Sequence, residues 1–272
     1  MKALTRVFLR ALGRSARPFL ETHGLMRVKK IFNRSALEWT PGGERVVVLA
    51  PHMDDEVIGC GGTLARHVER GAEIAIVFLT DGRRGGKATD DAVARSSLAA
   101  ERKRESKLAL AELGIDRVEF LAGEDGRLEA TPELAGALRR ALQAHRPEIV
   151  YLPCFIEEHP DHRAASALLA AAVAGSGLEF RCHAYEVWTP LFPNCLVRID
   201  ATLDAKRRAL GHYQTQLAEA DYLHTGLGLN AYRSSAFLDP ACRHAEAFLS
   251  LSLGEYLDLF RSYSAGGAEG AR

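Results

Sequence analysis

Residues 45–62 read Arg45-Val-Val-Val-Leu-Ala-Pro-His-Met-Asp-Asp-Glu-Val-Ile-Gly-Cys-Gly-Gly62. The apolar run 46–50 is rich in β-branched residues and stops at Pro51, the pattern of a short buried strand. His52, Asp54, Asp55 and Glu56 follow at once, and then a glycine cluster. Open α/β sheets bind their ligands just beyond the carboxyl ends of their strands. The stretch therefore starts a sheet and also places ionisable groups where such a sheet does chemistry.

Outward from it, the alternation repeats. Residues 59–70 read as a helix that Gly71 caps. Residues 73–79 form a second buried strand, which runs into the polar, glycine-rich loop 80–86. Residues 92–113 are helical by composition, 118–122 a third strand. Thr131 and Pro132 cap and open a helix to about residue 145, before a fourth strand at 148–153. Further on, the sequence predicts a helix at 161–174, strands at 181–188 and 196–199, a helix at 205–217, irregular chain at 218–242, a helix at 243–261 and a frayed tail. This spacing implies an α/β fold: a Rossmann-like, mostly parallel sheet flanked by helices. Right-handed crossovers bring its strand ends to one edge, so the loops beginning at His52, Asp81, Gly123 and Pro153 should share a rim. The domain reading is a basic N-terminal helical extension (1–44), the α/β domain (45–262) and a flexible tail (263–272).

The 272 residues are 47% hydrophobic and 26% charged, an ordinary globular composition. The 35 acidic and 35 basic residues cancel to a net charge of +0, which argues against a nucleic-acid partner. Cys60, Cys154, Cys182, Cys195 and Cys242 are odd in number and scattered. No disulfide framework is expected, and a reducing, cytoplasmic compartment fits. No apolar run reaches the ~18 residues of a membrane span. Residues 1–34 are basic, with Glu21 the single acid. They lack the apolar core and cleavage site of a secretory signal. Two uses fit residues 1–40: an amphipathic helix peripheral to the inner face of the membrane, or a helix packed on the domain or on a second copy in a homo-oligomer. The second is the commoner role of a charge-lined face.

After the fourth strand comes Pro153-Cys-Phe-Ile-Glu-Glu-His-Pro-Asp-His162. Either loop alone reads as a cap or a solvated turn. Together they offer three histidines and three aspartates beyond two strands of one sheet. A catalytic zinc takes three N and O ligands and leaves a position open. His52 and Asp55 can share one ion, and His162 closes the set. Zn²⁺ suits these donors, and Fe²⁺, Mn²⁺ or Co²⁺ would also sit there. A metal lowers the pKa of its water from ~15.7 to about 7. Asp54, off the metal, is then the general base. His159 would polarise a carbonyl or protonate a leaving amine, and Asp161 would orient it. Cys60 and Cys154 read as buried packing. Gly59, Gly61 and Gly62 do not spell a nucleotide loop and read as sites of close helix packing.

These residues resemble the PIG-L/LmbE family of zinc-dependent N-acetylglucosaminyl deacetylases. Its pattern is a strand, then (P/A)-H-x-D-D-E, then a distant H-x-D-H. Here the two motifs stand as Pro51-His-Met-Asp-Asp-Glu56 and His159-Pro-Asp-His162. Thr80-Asp-Gly82, Arg102-Lys-Arg-Glu105, Asp125-Gly-Arg-Leu128, Tyr185-Glu-Val-Trp188 and Ala245-Glu-Ala-Phe248 extend the likeness over roughly residues 45–250. The resemblance implies an LmbE-like deacetylase fold, with zinc on His52, Asp55 and His162 and Asp54 as base. It implies His159 as acid or oxyanion stabiliser, supported by Asp161, and Arg102 and Asp125 on sugar hydroxyls. Glu56 reads as a helix-start residue that supports the ligands. Arg83, with Arg84 and Lys87, would suit a phosphate-bearing substrate. Two departures stand out. Glu157 occupies a position where some members carry a tyrosine proposed to assist the transition state, and the basic segment 1–44 lies outside the family core.

The expected function is metal-dependent removal of acetyl from an N-acetylglucosamine-type sugar or glycoconjugate, with Asp54 activating the metal's water. The alternatives are deacylation of another N-acyl substrate (an antibiotic precursor, a thiol-sugar conjugate or a lipid-linked glycan) and a non-catalytic, metal-stabilised sugar-binding protein. A spare carboxylate at Asp54 argues against the last.

Overall fold

The computed structural model describes residues 37–84, 91–237 and 239–270. Residues 46–50 are buried without alternation, as in a strand covered on both faces. In chain order the strands are β1 (Leu37–Glu38), β2 (Arg45–Ala50), β3 (Glu73–Thr80), β4 (Arg117–Gly123), β5 (Ile149–Pro153), β6 (Arg181–Tyr185), β7 (Cys195–Arg198) and β8 (Ala245–Ser252). Among the described residues they form a sheet of order β1-β7-β8-β6-β5-β2-β3-β4. β2 pairs in parallel with both β3 and β5. β4 and β6 extend the parallel block, whereas β8 runs antiparallel to β6 and β7. The chain leaves β2 toward β3 and returns later at β5. The strand order thus reverses between β2 and β5, and ligand crevices form at such reversals.

The helices are α1 (Asp55–Glu69), α2 (Ala92–Glu112), α3 (Pro132–His145), α4 (Pro160–Val173), α5 (Leu203–Leu210), α6 (Gln214–Leu217), α7 (Tyr222–Ser234) and α8 (Leu253–Gly270). α1 starts at Asp55, four residues before the sequence reading has it. Its glycines weaken local helix propensity, but the fold uses the missing side chain. A Cβ on Gly59 would stand 2.3 Å from Cδ2 of Tyr185, whose hydroxyl donates to the Leu49 carbonyl at 2.9 Å. Gly59→Ala is therefore expected to destabilise the protein by about 1–3 kcal/mol through overpacking, measured as a lower denaturant midpoint at unchanged m.

Four downstream expectations are corrected. The 205–217 helix breaks into α5 and α6, and the stretch read as irregular contains α7. The helix expected from residue 243 is a strand followed by α8, which runs through Ser262 to Gly270 where a tail is expected. Ala, Glu and Leu in residues 245–249 favour a helix, but pairing on both edges overrides that preference. The strand also buries Glu246, whose carboxylate accepts from Gly62 N at 2.9 Å, Thr63 N at 2.7 Å and Lys206 Nζ at 2.6 Å. That network fastens α1 to β8 and α5. Trp39 joins the same core, with its N–H on the Leu196 carbonyl at 2.8 Å and its ring against His67 and His183.

Among the described residues no helix is long and apolar enough to cross a membrane. The membrane and oligomer readings of residues 1–40 fall almost wholly outside the described residues.

Candidate active site

β2 and β3 end side by side, because the Pro51 carbonyl accepts from both the N–H and the hydroxyl of Thr80 at 3.1 and 2.7 Å. The chain then turns into α1 through Asp54, whose φ of 148° is a conformation L residues rarely adopt. Such backbone costs about 1–3 kcal/mol and persists where the surroundings hold it. Here the Asp54 N–H donates to Glu56 Oε2 at 3.1 Å, and its carbonyl accepts from Val57 N and Ile58 N. The turn brings His52 over Asp55: Asp55 Oδ2 accepts the His52 N–H at 2.8 Å and lies 3.3 Å from His52 Nδ1. From the β5 side, α4 carries His162 so that its Nε2 lies 3.2 Å from the same oxygen.

Two groupings of donor atoms fall within 4.8 Å of one another among the described residues: His52, His159 and His162, and His52, Asp125 and Asp161. In the second, Asp161 is already engaged. Its oxygens accept from Gly126 N at 2.7 Å and Leu128 N at 2.9 Å, and Oδ2 lies 3.1 Å from His52 Nε2. It orients His52 from behind, as carboxylates do for metal-binding imidazoles. Fit to a metal is better judged at the other face of His52. Both ring nitrogens of His162 are buried without an aligned hydrogen bond. Tetrahedral ligands at about 2.0–2.1 Å stand roughly 3.3 Å apart, which matches the 3.3 and 3.2 Å separations at Asp55 Oδ2. Two imidazoles and a carboxylate suit a divalent transition ion, so His52, Asp55 and His162 fit the group.

The electrostatics separate the two neighbouring aspartates. Burial would raise Asp55, but the His162 and His52 charges outweigh it and hold its carboxyl well below the usual range. At Asp54, burial and then the Asp55 charge push the carboxyl well above that range. Its side chain makes no capping hydrogen bond. Burial raises Glu56 to about 8 against the opposing hydrogen bond from Tyr213. This fits support of the turn better than a role as base.

The structure differs from the sequence reading at two site residues. Asp161 does not bring its carboxylate to His159. Side chains on a helix lean toward its N-terminus, and this one reaches back to residues 126 and 128. Only its backbone N–H meets His159, donating to Nδ1 at 3.2 Å. Arg83 turns away to pair with Asp81 at 2.6 Å and does not line the cleft, whereas Arg84 does. Lys87 lies outside the described residues. Arg102 is buried. It donates to the carbonyls of Gly82 and Arg84 and lies 3.8 Å from Asp125. Asp125 accepts from Arg84 N at 2.7 Å. Both line a cleft of about 310 Å³ together with His52, Asp54, Asp55 and His159.

Three contributors carried no sequence signal. Gln216, Glu219 and Tyr222 line the cleft from α6, the turn after it and the start of α7, far along the chain from both motifs. Glu157, the departure noted in the sequence, is fully buried, with Oε2 3.6 Å from His162 Nδ1. It takes the place of the missing tyrosine but supports a candidate ligand instead. Glu157→Ala is expected to weaken metal affinity about 10–100-fold, read by competitive metal titration, with Glu157→Gln losing less.

The chain is similar to several known proteins. The family model described as GlcNAc-PI de-N-acetylase (PIG-L) matches residues 47–173. The chain is 30% identical over 192 residues to diacetylchitobiose deacetylase of Thermococcus kodakarensis, covering 65% of this chain and 71% of that protein. It is 35% identical over 156 residues to the 1D-myo-inositol 2-acetamido-2-deoxy-alpha-D-glucopyranoside deacetylase of Mycolicibacterium vanbaalenii, covering 48% of this chain and 55% of the relative, about half its length. The solved N,N′-diacetylchitobiose deacetylase of Pyrococcus horikoshii, complexed with an inhibitor, superposes with a TM-score of 0.64 at 26% identity. That match covers 76% of this chain and 83% of the other. The fold, the paired strand-end loops and these likenesses converge: the chain belongs to the PIG-L family.

Proposed function

We propose that the protein is a hydrolase that removes the acetyl group from a 2-acetamido sugar of N-acetylglucosamine type, releasing acetate and the free amine. The observation that carries this reading is Asp54: a buried carboxylate with a raised pKa, facing the cleft beside the His52, Asp55 and His162 set. The relatives' activities on chitobiose and inositol-linked N-acetylglucosamine support the substrate class. A divalent cation on those three residues, with Zn²⁺ the expected ion, supplies Lewis acidity and a lowered water pKa when bound.

Asp54 takes the proton from the water as its oxygen attacks the acetyl carbonyl. The proton then passes to the sugar nitrogen as the C–N bond breaks, and acetate leaves. His159 lines the same cleft. Its Nδ1 accepts from Asp161 N, and burial, then His52 and His162, hold its pKa below the usual value. The neutral ring therefore carries its proton on Nε2, as a hydrogen-bond donor to the oxyanion that develops on the substrate. This favours oxyanion stabilisation over an imidazolium acid. Arg102 and Asp125 offer a donor and an acceptor to sugar hydroxyls. A panel of N-acetylated sugars assayed for acetate release with and without chelator tests the reading. Release that is abolished by chelator and restored by added Zn²⁺ supports it, and release indifferent to chelator overturns it.

A further inference from the structure

Trp188 is a large aromatic left open at the reaction cleft. The residue is 51% exposed and lines the cleft with Val187 and Tyr222. The Tyr222 ring braces it edge-on, with centroids 5.7 Å apart. An exposed tryptophan on a loose loop would mean little, but this one is fixed at its backbone. The buried Glu157 carboxylate accepts from Val187 N at 2.6 Å, from Trp188 N at 3.1 and 3.2 Å, and from Thr189 N at 3.3 Å. The same carboxylate lies 3.6 Å from the His162 ring. One buried group therefore sets the indole's position relative to the candidate reacting centre.

Arg84, Asp125 and Glu219 also line the cleft and add charged groups to the lining that holds this apolar surface. A ligand that meets both needs a flat apolar face and a polar edge. A pyranose has both, with C–H groups on its face and hydroxyls around its rim. An alkyl chain would desolvate the charged groups and offer them no hydrogen bond in return, which is costly.

We propose that Trp188, braced by Tyr222, forms a subsite for a second pyranose ring, joined to the sugar whose acetamide is hydrolysed. The subsite selects disaccharides and longer glycosides over the free monosaccharide. This inference rests on the deacetylase reading for its kinetic consequence, though not for binding itself. Stacking of this kind binds ground state and transition state alike, so its loss appears in KM with kcat unchanged.

The test compares wild type, Trp188→Ala and Trp188→Phe on N-acetylglucosamine and N,N′-diacetylchitobiose. For Trp188→Ala, KM for the disaccharide should rise about tenfold, the size expected of one aromatic contact. Its kcat and the monosaccharide kinetics should stay unchanged, and Trp188→Phe should keep most of the affinity. Equal losses on both sugars, or none on either, overturn the subsite. If wild type hydrolyses neither sugar, the deacetylase reading fails for this pair and the subsite is read by fluorescence. The chain has two tryptophans, and Trp39 packs internally on His67 and His183. N,N′-diacetylchitobiose should shift wild-type emission and leave that of Trp188→Phe unmoved; a silent wild type at saturating disaccharide overturns the subsite.

Discussion

Asp54→Asn is expected to slow acetate release by about 10²–10⁴-fold, the usual contribution of a positioned general base. The amide keeps the size and shape of the carboxylate but cannot accept the proton. Burial and the Asp55 charge already push the Asp54 carboxyl well above its ordinary range, which brings its basicity closer to that needed near neutral pH. Because Asp54 is not in the proposed ligand set, the variant should hold as much metal per chain as wild type, with KM little changed. Loss of metal together with activity would make Asp54 a ligand instead, and retained activity would remove it as the base. Stability supplies a separate signature. Asp54 sits at φ 148°, a strain of about 1–3 kcal/mol that glycine would not feel. Against that stands the entropy glycine adds to the unfolded chain, roughly 0.5–1 kcal/mol. Asp54→Gly should therefore melt no lower than wild type in the chelated protein, and about 2–4 °C higher if the net gain is about 1 kcal/mol, while being inactive.

His162→Ala is expected to abolish both metal binding and activity and to destabilise the protein. In the metal-free protein burial pushes the imidazole's pKa down, but Asp55 outweighs it and raises the pKa to about 9. The charged ring is thus the counter-ion of Asp55 across 3.2 Å. Removing it leaves that buried carboxylate partly uncompensated, at a cost of about 3–5 kcal/mol. At this chain length the loss corresponds to a fall in Tm of roughly 10 °C. Metal content by elemental analysis and a melt with and without chelator separate the two effects. Chelation should lower the wild-type Tm and leave His162→Ala unmoved. A variant that keeps its metal would break the ligand assignment.

Much of the fold is legible in local sequence wherever burial and propensity agree. β2, β3 and β5 are apolar runs too short for anything but strands. Thr131 and Pro132 announce α3, with the Thr131 side chain accepting from Leu134 N. Reading failed where distant partners decide. Residues 245–249 look helical yet pair as a strand, and α1 absorbs three glycines because Tyr185, Val57 and Ile199 fill the space their side chains would take.

The site divides along the same line. By itself the sequence determined the chemistry on offer: the histidines and carboxylates of Pro51-His-Met-Asp-Asp-Glu56 and His159-Pro-Asp-His162, each just past a strand. It could do so because a strand end fixes which residues reach the rim, and that is a local property. Only the tertiary structure decided what each group faces. It turned Asp161 onto His52, sent Arg83 to Asp81, set Glu157 behind His162 and brought Trp188 and Tyr222 to the cleft. His52 and Asp161 lie 109 residues apart in the chain, and side-chain direction at that range is set by packing rather than by spacing.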